Sequence, residues 1–487
     1  MWRMHDVTRA VPDWPRARTR RPAARTRWIP VLVTLAWTVA GAVNPVIEIE
    51  EPVYTYEDAR NGADPLWSVG STCLVRWNGR VFASGLQTVP DVPPGSNCRW
   101  LLFGREAEGA PGAGNATGWR QLRAAVVGLT REPCPLAVLG DGSIFLSTCT
   151  PAGPGGGSNY RLQFVRFAAT NIAGLRASLS PEWGNGVDFT DTTFRSVAVD
   201  AARGELAVCA NGGQWGGRWV WIGADNVSSA TGELRWPWEG GYERGQAVRI
   251  THASTLLREG TLHFCGISEI PEPVPAWNVF TQELTGHSTN LVSRRLYYAQ
   301  APNITRGLFE PWVLLANLDA TAGTVTLGDL WVDAAGLVHI VWAEQAMDEH
   351  LQERIRFPGT QAYTLKYARV GRDAKVVTRT LTPAPTSGAK EIPTRPRFQV
   401  RPDQRIFVFY FVSGTNAQGT PIAENRVLEI AADGTPSVPV KVPLNHPLDR
   451  YYTATPRAGS PLSDTLDLLG SEAGKPFTIR YARVRLR

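Results

Sequence analysis

Residues 329–344 read DLWVDAAGLVHIVWAE, and this stretch decides the fold. Two apolar runs flank a short turn at Gly336, which is the pattern of a β-hairpin. The pattern returns as CLVRWNGRVFASG from Cys73, PLAVLGDGSIFLSTC from Pro135, SVAVDAARGELAVCANG from Ser196, STLLREGTLHFCGIS from Ser254 and RFQVRPDQRIFVFYFVSG from Arg397. The turn positions recur roughly every 56 to 76 residues, which is the size of a four-stranded propeller blade with its loops. They are Gly79, Gly142, Gly204, Gly260, Gly336 and Gln404.

Further strands complete each unit. Third strands are plainest as RLYYAQ from Arg295, TLKYARV from Thr364 and IRYARV from Ile479, and WVLLANL from Trp312 is a fourth. Six units and a shorter echo over Thr465–Leu486 predict an all-β β-propeller of about seven blades, with six as the alternative. We expect VIEIEEPVYTY from Val46 to share the closing blade with the C-terminal segment, because that pairing leaves no free sheet edge.

The composition agrees with many short strands and narrows the class of partner. The 487 residues include 47 Gly, 36 Pro and 18 Trp, which punctuate sheets and pack between them. The formal net charge is +6, but it is concentrated in the first 27 residues, where eight arginines face two aspartates. The remainder is near neutral, so no nucleic-acid partner is expected.

The basic start leads into an apolar run, WIPVLVTLAWTVAGAV, over residues 28–43. Its small residues at Ala40 to Ala42 predict an export signal over residues 1–42, followed by one propeller domain over residues 44–487. The protein is then periplasmic or extracellular, with no membrane contact beyond this segment. The alternative is an uncleaved anchor, although the run is shorter than the about 20 residues that span a bilayer.

Several phrases carry a resemblance to a known superfamily. GLVHIVWAE with LKYARV, and LREGTLHFCG with RLYYAQ, resemble the BNR-like or sialidase-like β-propellers of exported bacterial proteins. NGADPLWSVGSTCLVR, SNCRWLLF and RFQVRPDQRIFVFYFV resemble one group within it. The resemblance implies a glycan bias, since the superfamily includes sialidases, other glycoside hydrolases and polysaccharide lyases. The Asp-box Ser-x-Asp-x-Gly-x-x-Trp and the Arg-Ile-Pro motif are missing from the repeats, which disfavours a sialic-acid hydrolase.

Ligands of such propellers usually meet the face where first strands begin and second strands end. We therefore expect one rim to collect residues from the starts of first strands: Arg131, Glu132, Arg195, His252, Asp329, Arg395 and Arg397. The ends of second strands add Trp215, Glu269, Trp342 and Glu344. Several arginines suit a carboxylate or sulfate, so an acidic glycan is the predicted partner. The alternative is that these arginines tie blades together through carbonyls and carboxylates.

Two long connections open on the same face. One runs from Glu269 to Arg294, and the other from Glu344 to Ala362, in which AMDEHLQERIR predicts a short helix. Long loops on one face of a repeat scaffold usually bind ligands. Their chemically useful residues are Trp277, His287, Asp348, Glu349 and His350.

The sequence leaves the reaction open. A hydrolase needs two carboxylates, for which Glu269 and Glu344 are the best pair. A lyase needs a base such as His252 or His350, an acid such as Tyr298, and an arginine on the uronate carboxylate. A non-catalytic propeller that binds a glycan or protein is the other class. No cofactor and no metal is expected, and the oligomeric state is open.

The remaining predictions concern buried groups. Cys134 and Cys149 lie symmetrically about the Asp141–Gly142 turn, which predicts a disulfide between them, and Cys73 with Cys98 is a second expected pair. Cys209 and Cys265 either bridge adjacent blades or are buried free thiols. His263 and His339 lie inside second strands, where a packing role is expected.

Overall fold

The computed structural model describes residues 43–68, 70–107, 118–152, 160–179, 183, 189, 194–212, 216–227, 229–238, 247–286, 291–382 and 388–487. The predicted signal segment therefore lies outside the described residues. No helix in the described ranges is long and apolar enough to span a membrane.

Seven antiparallel four-stranded sheets form a seven-bladed β-propeller, as the repeat predicts. First strands of neighbouring sheets contact each other around most of the ring, so these strands line a central channel. Blade 1 holds β2 (Leu74–Trp77), β3 (Arg80–Thr88), β4 (Cys98–Arg105) and β5 (Arg120–Ala124). Blade 2 holds β6 (Leu136–Val138), β7 (Ser143–Pro151), β8 (Tyr160–Ala168) and β9 (Asn171–Leu179). Blade 3 holds β10 (Arg195–Asp200), β11 (Glu205–Asn211), β12 (Gly216–Ile222) and β13 (Ser229–Arg235).

The next three blades repeat the order. Blade 4 holds β14 (Ile250–Arg258), β15 (Thr261–Ser268), β18 (Arg295–Ala301) and β19 (Val313–Asn317). The small pair β16 (Ile270–Pro271) and β17 (Leu291–Val292) and the helix α1 (Pro275–Thr285) are inserted in it. Blade 5 holds β20 (Thr324–Val332), β21 (Val338–Gln345), β22 (Tyr363–Val370) and β23 (Val376–Thr380), with α2 (Glu349–Ile355) after β21. Blade 6 holds β24 (Lys390–Val400), β25 (Ile406–Thr415), β26 (Pro421–Ile430) and β27 (Val440–Lys441).

Blade 7 closes the ring with both ends of the domain. Its order is β28 (Leu448–Thr453), β29 (Thr465–Glu472), β30 (Lys475–Leu486) and then β1 (Pro45–Thr55), so the N-terminal strand is outermost. This confirms the predicted sharing of the closing blade. The echo from Thr465 supplies only the second and third strands, because the first strand β28 is separated from it by a long connection. A buried ion pair between Arg76 and Asp467 (2.6 Å) joins blade 1 to blade 7.

Apolar layers between neighbouring blades form the core. Each layer takes side chains from two facing sheets, for example Trp219 of blade 3 with Phe264 of blade 4, and Phe409 of blade 6 with Leu468 of blade 7. Because both faces of a blade are covered near the channel, its first two strands are almost continuously buried, whereas the outermost strand is largely exposed. The six predicted turn positions all have a left-handed backbone, including Gln404 (φ 67°). The repeat phase read from the sequence is therefore right.

Two segments fill the centre of the channel. The loop before β2 brings Gly70 so close to blade 4 that a Cβ there would lie 2.0 Å from the Ala253 carbonyl oxygen. The connection between β28 and β29 brings Gly459 equally close to Val138 of blade 2. Between them lies buried Arg457, which pairs with Asp329 (2.6 Å) and donates to the carbonyls of Gly70 (2.9 Å) and Thr255 (3.2 Å). One guanidinium thus links four parts of the ring.

Candidate functional site

A cavity of about 520 Å³ opens on the face where first strands begin. We call it the start-face pocket. Its walls come from blades 4 to 7, and its size is that of a small-ligand site. The lining residues are His252, Ile267, Ser293, Thr324, Val325, Thr326, Leu327, Thr394, Arg395, Phe411, Asp449 and Arg450.

β-Bulges in the first strands of these blades shape the pocket. The register shifts by one residue between Thr251 and Ser254 in β14, between Leu327 and Asp329 in β20, between Thr394 and Arg397 in β24, and between Leu448 and Arg450 in β28. A bulge leaves one residue out of the ladder and redirects its side chain. Four neighbouring strands therefore break their regular pairing at the same depth, and three of the residues in these bulges, His252, Arg395 and Asp449, line the pocket.

Two of the bulged residues have an unusual backbone. His252 has φ 50° and Arg395 has φ 53°, so both lie in the left-handed region although neither is glycine. Such conformations are uncommon for residues with a side chain, and they concentrate at sites where function requires them. The left-handed bulge of blade 4 recurs in blade 6, and each brings a nitrogen-bearing side chain to the same cavity.

Arg395 is the cation that distinguishes this pocket. Its side chain is half-buried, and its guanidinium has no hydrogen bond or ion pair with any residue that the structure describes. Burial, together with the nearby charges of Arg397 and Arg450, lowers the pKa of Arg395. Asp449 is the compensating charge nearby, and its Oδ1 already accepts a hydrogen bond from Ser471 (3.1 Å). A desolvated guanidinium with free donors is the usual recognition group for a carboxylate or sulfate.

His252 lies against an aromatic and charged stack. Its ring meets the Phe194 ring edge to face at 4.6 Å, and the Arg249 guanidinium covers Phe194 at 5.3 Å. Arg249 in turn forms an ion pair with Glu269. Burial, followed by the charges of Arg249 and Arg395, lowers the pKa of His252 to about 4. The imidazole is therefore neutral at physiological pH and can accept a proton or a hydrogen bond.

The rest of the lining is polar and neutral. Thr324 and Thr326 are exposed in the pocket, and Ser293 and Thr394 add two more hydroxyls. Arg450 is held by an ion pair with Asp64 from the loop before β2. Buried Ile267, Leu327 and Phe411 form the apolar part of the wall. The arrangement offers a ligand rich in hydroxyl groups a cation without a partner among the described residues, a neutral base and several hydroxyls.

Of the predicted rim residues that the structure describes, His252 and Arg395 line this pocket. Three others lie inside the channel, where the alternative interpretation holds for them. Arg195 donates to the carbonyl of Pro133 (2.5 Å), Arg397 donates to the carbonyl of Gly328, and Asp329 pairs with Arg457. Arg131 donates to the carbonyl of Asn61 (2.9 Å), and Glu132 is buried beside Arg131 and Arg195. These residues tie segments together.

The other predicted residues do not line the pocket. Glu269 forms an ion pair with Arg249, while Glu344 accepts a hydrogen bond from the indole N–H of buried Trp342 (2.7 Å). Tyr298 is buried between blades 4 and 5 and bonds His263 (2.8 Å), which confirms the packing role of that histidine. His339 is bonded in the same way to Tyr367 (2.6 Å).

The two long connections are helical where they are described. Trp277 lies on α1 and packs against Phe357, with rings 5.3 Å apart. The predicted short helix is α2, and His350 is exposed on it. Helix α1 was not predicted. Trp215 and His287 lie outside the described residues.

The predicted disulfides do not form in the structure, where all six cysteines are buried and none is bonded to another. In the hairpin of blade 2, Leu136 faces Leu146, a register one residue away from the symmetric one, so Cys134 and Cys149 occupy opposite faces of the sheet. They belong to different apolar clusters. Cys73 lies opposite Ser84, and Cys98 lies opposite Thr88. Ser84 and Thr88 are four residues apart on β3, which separates the two cysteines by about 13 Å along the strand, too far for a disulfide. Cys209 and Cys265 lie in separate layers and are also free, as one alternative held.

Sequence reasoning missed Asp449, Arg450, Phe194 and Arg249. The first two precede the echo from Thr465, in a first strand that was not recognised. One pattern could have located the bulges: Gly328 and Pro396 interrupt first strands, and glycine or proline inside a strand marks a bulge. Among the described residues, no group of three or more His, Cys, Asp or Glu side chains could hold a metal ion.

Comparison with known proteins gives similarity at the level of the fold. No family model matches the chain, and no curated protein matches it. Among solved structures, the chain is similar to the polysaccharide lyase Uly1, with 11% identity, TM-score 0.49, and coverage of 91% of this chain and 99% of that one. It is similar to an α-L-arabinanase of Penicillium chrysogenum complexed with arabinobiose, with 10% identity, TM-score 0.40, and coverage of 90% of this chain and 98% of that one. It is also similar to the β-propeller domain of the Trilobed protease of Pyrococcus furiosus, with 7% identity, TM-score 0.41, and coverage of 84% of this chain and 94% of that one.

Proposed function

We propose that the protein is an exported glycan-acting propeller that binds an acidic saccharide in the start-face pocket. The observation that carries this proposal is the convergence of Arg395 and His252, both on left-handed bulges, in one cavity. Arg395 binds the carboxylate of the sugar, because it is the lining cation whose donors are not used by the described protein. The threonine and serine hydroxyls of the lining form hydrogen bonds with the hydroxyl groups of the sugar ring.

The pocket residues fit elimination better than hydrolysis. A uronate lyase removes the proton from the carbon next to the carboxylate, and Arg395 stabilises the negative charge that then develops on that carboxylate. Neutral His252 takes the proton. The C–H electron pair becomes a C=C bond as the glycosidic C–O bond breaks, and the departing oxygen is protonated by the imidazolium or by water.

Hydrolysis has weaker support in the structure. Asp449 is the carboxylate that lines the pocket, while Glu269 and Glu344 are engaged by Arg249 and Trp342 outside the lining. A retaining or inverting glycosidase requires two carboxylates across the scissile bond. A non-catalytic glycan-binding propeller is the second candidate. It is favoured because the described residues of the pocket lining include no tyrosine that could serve as the acid.

The test is turnover of purified protein on uronate-containing polysaccharides, followed by the absorbance of unsaturated products and by reducing ends together. The His252→Gln variant should lose about 10²- to 10⁴-fold in kcat while it still binds the polysaccharide. His350→Gln is the matched control, because His350 is exposed on α2, and it should keep full activity. Reducing ends without unsaturation would contradict elimination, and binding without any turnover would establish the non-catalytic alternative.

A further inference from the structure

A second cavity, of about 580 Å³, lies at the opposite end of the channel, among the turns between first and second strands. We call it the turn-face cavity. Blades 1 to 6 contribute their turns to it, and the connection between β28 and β29 contributes its floor. The lining includes Trp77, Leu139, Leu257, Trp331, Ala334 and Leu462. Nothing in the proposed chemistry at the start-face pocket uses these residues.

Two tryptophans shape the walls from opposite sides of the ring. Trp77 of blade 1 donates its indole N–H to the Gly140 carbonyl (3.2 Å). Its ring packs on the next turn, since a Cβ at Gly142 would lie 2.7 Å from it. Trp331 of blade 5 is half-buried, and its indole nitrogen is buried without a hydrogen-bond partner among the described residues. The cavity thus presents aromatic surface from two sides.

The charged residues of the lining are satisfied internally. Arg203 pairs with Glu205 (2.8 Å), and Arg258 lies near Glu259 (3.6 Å) and donates to the carbonyl of Val332 (2.8 Å). The carboxylate of Asp200 accepts from the backbone N–H groups of Arg203 (3.1 Å) and Glu259 (2.7 Å). The two arginines of the lining balance its two carboxylates, so the cavity has no excess charge for an ionic ligand. A ligand that fits this environment is neutral.

We propose that the turn-face cavity binds a neutral saccharide unit, so that the propeller holds glycan at both ends of its channel. The ligand class rests on the proposed function. The C–H faces of a pyranose or furanose ring stack on the indole surfaces of Trp77 and Trp331, and the sugar hydroxyls donate to the carbonyls of the turns. Aromatic walls with a few polar groups, in a cavity of this size, are typical of small-ligand sites.

The experiment blocks the cavity without removing a core contact. Ala334 lines the cavity in the exposed turn of blade 5, whereas its neighbour Ala335 is exposed in the same turn outside the lining. The probes are hexasaccharides built from glucose, xylose, galactose or arabinose, measured by saturation-transfer NMR and tryptophan fluorescence. We expect at least one to bind the wild type, Ala334→Trp to weaken that binding at least tenfold, and Ala335→Trp to change it less than twofold.

Trp77→Leu provides a second variant, because it removes aromatic surface and keeps an apolar contact with Gly142. It should also weaken binding at least tenfold. The proposal is overturned if no neutral hexasaccharide binds the wild type, or if Ala334→Trp leaves binding unchanged. Arg395→Gln separates this proposal from the proposed function. Neutral-sugar binding that survives Arg395→Gln while uronate binding is never observed would overturn the proposed function alone. If the wild type binds uronate saccharides but no neutral hexasaccharide, the turn-face proposal alone would be overturned.

Discussion

The two mouths of the channel are built from the same strands and differ in chemistry. At the turn face, the six equivalent turns are regular, and the charged side chains of the cavity are paired internally. At the start face, four first strands bulge, and Arg395 keeps its donors unused by the described residues. The difference teaches that the repeat supplies the scaffold at both mouths, whereas ionic recognition arises where the repeat is broken.

The largest expected effect is on the free energy of unfolding, when the Arg457 guanidinium at the centre of the channel is removed. Arg457→Met leaves Asp329 buried without its cation, and breaking a buried ion pair costs about 3–5 kcal/mol. Urea unfolding should show this loss in the free energy of unfolding. Arg372→Met, on an exposed turn, is the matched control and should change it by less than about 0.5 kcal/mol. A loss below about 1 kcal/mol for Arg457→Met would mean that the central pair does not hold the ring together.

A smaller effect concerns acid stability and the packing histidine. Burial lowers the pKa of His263 to about 4, from an ordinary value near 6.5, so the unfolded chain binds a proton in this window that the folded chain does not. Stability should therefore fall as the pH drops from about 6.5 to about 4, by up to on the order of 3 kcal/mol from this residue. His263→Gln should flatten this part of the curve in thermal melts at pH 4 to 7. If His263→Gln leaves the dependence of stability on pH unchanged between pH 4 and 7, His263 is not a source of the acid sensitivity.

The smallest effect distinguishes the histidine of the start-face pocket from the buried one. Burial lowers the pKa of both histidines. The charges of Arg249 and Arg395 lower the pKa of His252 further, whereas the charge of Arg258 does so for His263. In Arg395→Gln, the pKa of His252 should rise and that of His263 should stay unchanged. NMR titration of the imidazole resonances measures both in one sample. Equal shifts of the two would show a global change rather than a local charge effect.

The sequence predicts the periodic part of this molecule well and the irregular part poorly. Turn positions follow from local chemistry, so Gly79 to Gln404 could be placed, and so could the pairing of β1 with β30. The first strand of blade 7 was missed because a long connection separates it from its hairpin. Arg195 was expected at the rim because it precedes its turn by as many residues as Arg395 does, and Arg397 because it lies two residues after Arg395. A one-residue bulge decides which arginine faces the cavity. The cysteine pairing failed for the same reason, a register one residue away.

The most direct test of the central claim compares two ligands that differ only in the group that Arg395 is proposed to bind. A uronate oligosaccharide and its carboxyl-reduced neutral form are titrated calorimetrically into the wild type, Arg395→Gln and Arg372→Gln. The wild type and Arg372→Gln should prefer the carboxylate form by about 1.5–3 kcal/mol, the range for a hydrogen bond to a charged group. In Arg395→Gln, that preference should vanish. An equal preference in all three proteins, or none in the wild type, would contradict the account.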